Sequence, residues 1–155
     1  MSTTIWKPNV TVAAVIERDG RFLLVEEKSD GALVLNQPAG HLDDGESLTA
    51  AVVRETLEET AWRFVPEALL GIYRWPHTEK NITYLRFAFI GRVLSHEPNR
   101  ALDDGIARAL WLTPDEIRRQ AHRHRSPQVQ RCIDDYLSGR RYDLALLTDL
   151  VGGDS

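Results

Sequence analysis

The sequence predicts an α+β fold in which a mixed β-sheet lies between helices, as an α/β/α sandwich. Three observations favour this class: several apolar runs of strand length, one long helix after the first strands, and two helix-start signals near the carboxyl end. The chain has 155 residues and 43% hydrophobic content. Because that is enough for a complete core, we expect residues 1–155 to form a single domain.

The first predicted strands are aliphatic runs separated by turn residues. Residues 10–16 and 21–25 are such runs, and the Asp19-Gly20 pair between them is a strong hairpin signal. Residues 32–36 form a third short strand, which a Pro-Ala-Gly segment then interrupts. This part of the chain therefore predicts strands that pair locally.

A helix is predicted over residues 46–62, after a polar loop. Leu48, Val52, Val53 and Leu57 are available for burial along it. An isolated helix of this length is marginal in water, so some of these side chains must pack against a sheet.

The carboxyl half predicts three strands and two helices. Pro66 closes the helical region, and strands follow at 69–75, 82–93 and 106–112. The strand at 82–93 alternates imperfectly, which suits burial on both faces. Thr113 and Glu116 form a capping box for a helix that runs to about residue 124, and a second helix starts near residue 127 and ends at Gly139.

Composition limits the classes of partner. The net charge of −4 disfavours nonspecific nucleic-acid binding, so the basic run at 118–125 is interpreted as a solvated helix face. The lone Cys132 excludes an internal disulfide and is expected in the core. The amino terminus lacks signal-peptide features and no run reaches membrane-spanning length, so we expect a cytoplasmic protein without membrane contact. No heptad seam is visible, and a monomer is the simplest expectation.

Three glutamates carry the strongest chemical signal. Glu55, Glu58 and Glu59 share one helix face because residues three and four apart are neighbours, and Arg54 precedes Glu58 by four positions. Three converging carboxylates favour Mg²⁺ over Zn²⁺, and Mg²⁺ usually shares its coordination with substrate phosphates. An ordinary acidic surface is the alternative, since like-charge pairs cost only about 0.2–0.5 kcal/mol each.

The stretch from residue 40 to 62 resembles the Nudix box, GX5EX7REUXEEXGU, where U is a bulky apolar residue. Six fixed positions match, namely Gly40, Glu46, Arg54, Glu55, Glu58 and Glu59. Thr56 and Trp62 occupy the two apolar positions, and Ala61 replaces the final glycine. Because alanine adopts positive φ less readily than glycine, we expect the helix to end differently.

The resemblance implies a Nudix fold and a set of roles. Glu55, Glu58 and Glu59 would hold Mg²⁺, or alternatively Mn²⁺, together with the backbone carbonyl of Ala39. Glu55 or Glu58 would alternatively accept the proton of the attacking water. Arg54 would brace a glutamate, and Gly40 and Glu46 would be structural residues of the box. Asp103, Asp104 or Glu97 would supply an additional metal ligand or the general base.

Stretches outside the box resemble one bacterial phosphatase branch of the Nudix superfamily. That resemblance implies Mg²⁺-dependent release of orthophosphate from nucleoside di- and triphosphates and from the diphosphate of the thiamine pyrimidine precursor. The partner would be a small phosphorylated molecule. Two alternatives stay open: a pyrophosphatase that cuts substrates such as ADP-ribose at the internal bond, and a binding module that senses a nucleotide without hydrolysing it.

Substrate recognition is less determined by the sequence. Trp6, Tyr73 and Trp75 are candidates to stack on a base, although aromatic side chains are more often core residues. Arg86 and Lys80 are candidates to bind phosphate, or are solvated cations. The lone His41 after the box glycine is interpreted as structural.

Overall fold

The computed structural model describes residues 4–151. Within that range the chain forms eight strands, three α-helices and two 3₁₀ turns. The strands are β1 (Asn9–Val15), β2 (Glu17–Arg18), β3 (Arg21–Ser29), β4 (Ala32–Asn36), β5 (Ala39–His41), β6 (Trp62–His77), β7 (Ile82–His96) and β8 (Ile106–Leu112). The helices are α1 (Leu48–Thr60), α2 (Pro114–Arg119) and α3 (Pro127–Leu137), and the 3₁₀ turns are Ala121–Arg123 and Leu144–Leu146.

The strands form two sheets. In the first, the order is β5-β1-β7-β6; β1 and β7 run parallel, whereas the other pairs are antiparallel. In the second, β3 pairs with β2, β4 and β8, all antiparallel. The predicted mixed sheet is therefore confirmed. The turn at Asp19-Gly20 is present, but the expected pairing of residues 10–16 with residues 21–25 is wrong: β1 pairs with β5 and β7 in the first sheet, and only β2 pairs with β3 across the turn.

Helices cover both faces of the first sheet. Val12 of β1 belongs to a buried cluster with Val52 of α1. Val15, three residues later and on the opposite face, packs in a second cluster with Ile133 of α3. The predicted sandwich of helix, sheet and helix is confirmed, and Cys132 is fully buried in the α3 layer as expected.

The long hairpin of β6 and β7 differs from the prediction. β6 starts at Trp62 and continues through Pro66, so the expectation that this proline closes the region is wrong. Pro66 lies opposite Gly91, beside a shift in register, and a bulge tolerates a residue that has no N–H to donate. β7 is buried continuously only over residues 88–91, so the expected burial on both faces applies to its centre.

Helix α1 is shorter than predicted, and Ala61 gives its carboxyl end the conformation that a glycine usually adopts. Ser47 is the N-cap, and its side chain accepts a hydrogen bond from the N–H of Ala50 at 3.1 Å. Ala61 adopts φ 62° and ψ 16°, and its N–H donates to the carbonyl of Leu57 at 2.9 Å. The expectation of a different helix exit is therefore wrong: the alanine takes the left-handed conformation.

The carboxyl-terminal helices keep the predicted start signals. The Thr113–Glu116 capping box is present, but α2 ends at Arg119, earlier than predicted. Beyond it, the N–H of Arg125 donates to the carbonyl of Leu35 in β4 at 2.8 Å. In the tail, Leu144 and Leu147 pack against the core. In the described part of the chain, no helix is long and apolar enough to cross a membrane.

Candidate active site

Helix α1 and the loop before β8 bring three carboxylates together. Glu55, Glu58 and Asp103 each offer an oxygen within 4.8 Å of the others. The N–H of Asp103 donates to the carbonyl of Glu58 at 3.0 Å, which fixes the loop against the helix. Of the two aspartates proposed from the sequence, the structure brings Asp103 and not Asp104 into this cluster.

Gly40 packs directly beneath the carboxylate of Glu55. A Cβ at position 40 would lie 2.1 Å from Cδ of Glu55, and 2.3 and 2.4 Å from its two oxygens. These distances are far shorter than van der Waals contact, so no side chain fits between strand β5 and the glutamate. The small residue therefore allows the buried carboxylate to lie against the backbone.

Arg54 connects three glutamates. Its guanidinium forms a bidentate pair with Glu46, with Nε at 3.1 Å and Nη2 at 2.7 Å from the two carboxylate oxygens. Nη1 donates to Glu55 at 2.8 Å and to Glu58 at 3.1 Å, and Nη2 also donates to the carbonyl of His41 at 3.2 Å. An arginine has five N–H donors, and these contacts engage all of them, which matches a bracing role better than a phosphate contact.

Glu59 lies deeper than the other two helix glutamates. Its side chain accepts a hydrogen bond from the N–H of Ala39 at 2.9 Å. Burial raises the pKa of Glu59 to about 9, although the Ala39 N–H opposes that rise, and the negative charges of Glu27 and Glu55 add to it. Burial likewise raises the pKa of Glu55, with further contributions from Glu58 and Asp103, while Arg54 opposes them.

This donor set fits a divalent cation. Its ligands are oxygens only, which is the preference of Mg²⁺ and Mn²⁺ rather than of Zn²⁺. The carboxylates are close enough to repel one another, and a bound cation favours their charged forms. The acidic cluster is thus suited to a divalent metal.

A cleft of about 450 Å³ opens beside the carboxylates. Glu55 and Glu59 line one part of it, and aromatic side chains line another. The rings of Trp75 and Tyr84 stack with centroids 5.7 Å apart and planes at 15°, and the rings of Trp75 and His77 stack with centroids 4.6 Å apart. Arg86 also lines the cleft and is only 4% exposed.

Other residues proposed from the sequence lie elsewhere. Trp6 is 67% exposed and does not line the cleft. The hydroxyl of Tyr73 donates to Asp135 of α3 at 2.7 Å, and Tyr73 does not line the cleft beside the acidic cluster. Glu97 forms ion pairs with Arg63 and Arg100 instead of joining the acidic cluster.

The remaining proposed cations are paired with carboxylates. Lys80 lies at the cleft, with Nζ 3.3 Å from the carboxylate of Asp30. In the basic run, Arg123 pairs with Glu26 at 2.6 Å and Arg125 with Glu27 at 2.8 Å. These pairs neutralise part of the charge of the run, and its interpretation as a solvated face stays a prediction.

Several residues of the cleft were missed by the sequence analysis. They are Glu27, Asn36, Tyr84, Arg125, Ser126 and Gln128. Tyr84 was accessible to reasoning, because it lies two positions before Arg86 and strand alternation places both on one face. The others carry no local signal, since they come from β3, β4 and the start of α3.

Comparisons with known proteins agree with this geometry. The NUDIX domain family matches residues 6–132. The phosphatase NudJ of Escherichia coli K12 is 39% identical over 145 residues, which are 94% of each chain, and the Shigella flexneri NudJ is equally similar.

Solved structures share the fold. A NUDIX hydrolase from Nitrosomonas europaea is 55% identical, with a TM-score of 0.93 over 95% of this chain and 100% of that one. A bifunctional NMN adenylyltransferase/ADP ribose pyrophosphatase from Francisella tularensis, complexed with AMP and a Mn ion, has a TM-score of 0.72 over 88% of this chain and 43% of that one. At 18% identity, the second likeness concerns the fold alone.

Proposed function

Because the chain belongs to the NUDIX family of hydrolases, we propose that it is a Mg²⁺-dependent phosphatase. Its proposed substrates are nucleoside di- and triphosphates and the diphosphate of the thiamine pyrimidine precursor, 4-amino-2-methyl-5-hydroxymethylpyrimidine. The product is orthophosphate. The chain is a hydrolase similar to the NudJ phosphatases; its substrates and the identity of its metal are what we propose.

One observation supports the proposal most directly. The cluster of Glu55, Glu58 and Asp103 stands next to a cleft that has room for a small phosphorylated molecule. We assign Glu55, Glu58 and Glu59 to the metal, with the carbonyl of Ala39 and the carboxylate of Asp103 as further ligands. These residues would hold a Mg²⁺ ion, which would supply positive charge for the phosphate oxygens and activate water.

The residues around the proposed metal site have different roles in the reaction. Arg54 and Glu46 hold the glutamates at fixed positions, which preserves the alignment that phosphoryl transfer needs. Either Glu55 or Glu58 accepts the proton of the attacking water. The aromatic side chains of Trp75 and Tyr84 give the rest of the substrate a planar surface that excludes water from one side.

The test is orthophosphate release from a panel of substrates. The panel contains the thiamine pyrimidine diphosphate, common nucleoside di- and triphosphates, and ADP-ribose, each with Mg²⁺ and with EDTA. Release that disappears with EDTA and in Glu58→Gln and Glu59→Gln proteins supports the proposal. A matched pair of variants tests the role of the loop aspartate. Asp103→Asn is expected to lower the rate of orthophosphate release, whereas Asp104→Asn, outside the cluster, is expected to leave that rate near wild type.

Other outcomes assign other functions. AMP and ribose phosphate formed from ADP-ribose alone would identify a pyrophosphatase. Tight binding of a nucleotide without turnover would identify a binding module and reject the enzyme.

A further inference from the structure

Three lysine or arginine side chains of the described residues line the cleft, namely Lys80, Arg86 and Arg125. They differ in how much of the side chain a ligand can reach. Arg86 is 4% exposed, and its two terminal nitrogens donate to Gln37 at 2.9 Å and to Asn36 at 3.0 Å. The side chains of Lys80 and Arg125 are 43% and 38% exposed. A ligand in the cleft can therefore contact these two cations, whereas Arg86 is closed to it.

The two accessible cations differ in how firmly they are held. Lys80 lies in the turn between β6 and β7, and its partner Asp30 lies in the exposed turn between β3 and β4. Exposed ion pairs of this kind restrain a side chain weakly. Arg125 instead pairs at 2.8 Å with Glu27, whose side chain is only 14% exposed. Arg125 is thus the accessible cation that a shielded carboxylate holds in place.

The backbone of Arg125 is fixed as well. Its N–H donates to the carbonyl of the fully buried Leu35 in β4 at 2.8 Å. The next residue, Ser126, is the buried N-cap of α3. Glu27 also accepts a hydrogen bond from the amide of Asn36 at 3.3 Å. Both ends of the Arg125 side chain are therefore positioned before any ligand binds.

Arg125 keeps hydrogen-bond donors for a ligand. An arginine has five N–H donors in a planar fork, and within the described residues the side chain forms one hydrogen bond, from Nη1 to Glu27. The other donors belong to a side chain that is partly exposed at the cleft. The arginine fork matches the spacing of phosphate oxygens, and such charge-assisted contacts are strong. A phosphate group is therefore the ligand that this side chain suits best.

Glu27 connects Arg125 to the acidic cluster. Glu27 lines the same cleft as Glu55 and Glu59, and its negative charge contributes to the raised pKa of Glu59. Arg125 thus lies one carboxylate away from a proposed metal ligand. A diphosphate has two charged groups, and the cleft offers positive charge for the second group at this point.

We propose that Arg125 binds the second phosphate group of a diphosphate substrate, beyond the group that the metal site would hold. Glu27 is the positioning residue that keeps the guanidinium at the cleft. Substrates with two or more phosphate groups use both contacts, whereas a monophosphate has one group to share between them. The inference rests on the proposed function, because it adds a phosphate contact to the same cleft.

The experiment measures binding of a diphosphate that cannot be hydrolysed. The probe is methylenediphosphonate, in which a CH₂ group replaces the bridging oxygen, and calorimetry with Mg²⁺ gives its Kd. Arg125→Gln is expected to raise the Kd by about tenfold or more, because it removes a charge-assisted contact. Arg125→Lys keeps the charge and loses the fork, so we expect a smaller rise of about threefold. The lysine variant decides the question if the glutamine variant does not fold.

Arg123 provides a matched control. It lies two residues before Arg125 and pairs with Glu26 at 2.6 Å, just as Arg125 pairs with Glu27, but it does not line the cleft. Arg123→Gln should therefore keep the wild-type Kd. An equal rise in the Arg123 and Arg125 variants would overturn the proposal, since the effect would then come from the segment and not from a phosphate contact.

A double variant separates a phosphate contact from simple neutralisation of Glu27. If Arg125 only cancels the charge of Glu27, then Arg125→Gln combined with Glu27→Gln should regain the wild-type Kd, and the proposal would be overturned. If Arg125 contacts the phosphate group itself, the double variant should keep most of the loss, because no cation has been restored.

The outcomes for binding and for hydrolysis are independent. A wild type that releases orthophosphate, with an unchanged Kd in Arg125→Gln, would overturn the contact while the phosphatase stands. If no substrate is hydrolysed but the probe binds more weakly to Arg125→Gln than to wild type, the proposed phosphatase fails and the contact stands. Failure of the wild type to bind the probe would overturn the contact, because Arg125 would then have no phosphate group to hold.

Discussion

At the scale of single residues, Gly40 is required by its neighbour and not by its own backbone. The glycines with positive φ are at other positions, so position 40 does not need the conformational freedom of glycine. What it needs is space, because the carboxylate of Glu55 occupies the volume of a Cβ. The glycine of the box and the glutamate 15 residues later in the sequence thus form one structural unit.

We predict that Gly40→Ala lowers kcat/KM by about 100-fold or more, since a displacement of roughly 1 Å in a positioned group has effects of that size. The added methyl group displaces the carboxylate of Glu55 from the acidic cluster. Steady-state kinetics with the best substrate of the panel measures the change, and thermal unfolding confirms that the variant is folded.

A double variant identifies the cause. If the alanine acts through Glu55, then Gly40→Ala combined with Glu55→Gln should be no slower than the worse single variant, because groups that act as a unit are not additive. If the double variant instead loses kcat/KM by the product of the two single losses, Gly40 acts through another group.

Arg54 pairs with four carboxylates, three of them glutamates, through a planar fork that lysine cannot reproduce. Arg54→Lys is therefore expected to lower activity by about 10- to 100-fold, the usual loss when a residue behind the metal ligands is changed. The Mg²⁺ concentration for half-maximal rate should rise at the same time. A titration of the rate with Mg²⁺ measures both.

The surface pair between Arg63 and Glu97 supplies the control for Arg54. Arg63 is 56% exposed, and exposed ion pairs contribute little, so Arg63→Lys should leave the Mg²⁺ titration unchanged. An unchanged titration in Arg54→Lys as well would contradict the bracing role.

At the scale of elements, helix α1 ends in a conformation that its sequence does not favour. Ala61 has φ 62° and is 3% exposed, so it combines a left-handed backbone with a buried methyl group. The left-handed conformation costs an L-residue about 1–2 kcal/mol, and burial of one methyl contributes about 0.8 kcal/mol. Packing of the methyl group therefore offsets part of the cost of the turn.

These magnitudes predict the effect of glycine at position 61. In Ala61→Gly, release of the strained backbone offsets the lost methyl burial and the greater freedom of the unfolded chain, so the free energy of unfolding should change by less than about 1 kcal/mol. Ala51→Gly, in the first turn of α1 and fully buried, has no strain to release and should cost about 1–2 kcal/mol. Urea unfolding measures both values, and equal costs would contradict the argument.

The elements differ in how far the sequence predicts them. The shared face of Glu55 and Glu58 was predictable because helical spacing is a local property. The choice of Asp103 over Asp104 was not, because it depends on the hydrogen bond from the Asp103 N–H to the carbonyl of Glu58 across the loop. The length of β6 was also not predicted, because Pro66 and Pro76 are typical of strand ends, whereas the pairing with β7 continues past both.

At the scale of the whole molecule, the cleft is assembled from segments that are distant in the chain. Arg86 donates to Asn36 and Gln37, which are 50 and 49 residues away, and Gln128 belongs to a helix still further along. Neither β7 nor α3 carries a pattern that indicates the other. The three helix glutamates could therefore be predicted from one stretch of sequence, whereas the contacts of Arg86 and the position of Gln128 could be learned only from the fold.

The contact between the first sheet and α3 gives a prediction for acid stability. Asp135 of α3 accepts hydrogen bonds from Tyr73 at 2.7 Å, from Arg140 at 2.9 Å and from Arg131 at 3.0 Å. Burial acts to raise the pKa of Asp135, but the Tyr73 hydroxyl and Arg131 outweigh it and hold the pKa below its ordinary value of 3.8. Stability from this group is therefore complete above the ordinary value and is lost as the pH falls through the lower, folded-state pKa.

We predict that Asp135→Asn lowers the free energy of unfolding by about 1–2 kcal/mol at pH 7, because it removes charge-assisted hydrogen bonds that are partly exposed to solvent. The difference from wild type should persist at pH 5 and shrink below about pH 4. Asp134→Asn, at the exposed neighbouring position, should have little effect at either pH. Urea unfolding from pH 7 to pH 3 measures the three proteins, and a difference that grows on acidification would show that the charge of Asp135 does not stabilise the contact.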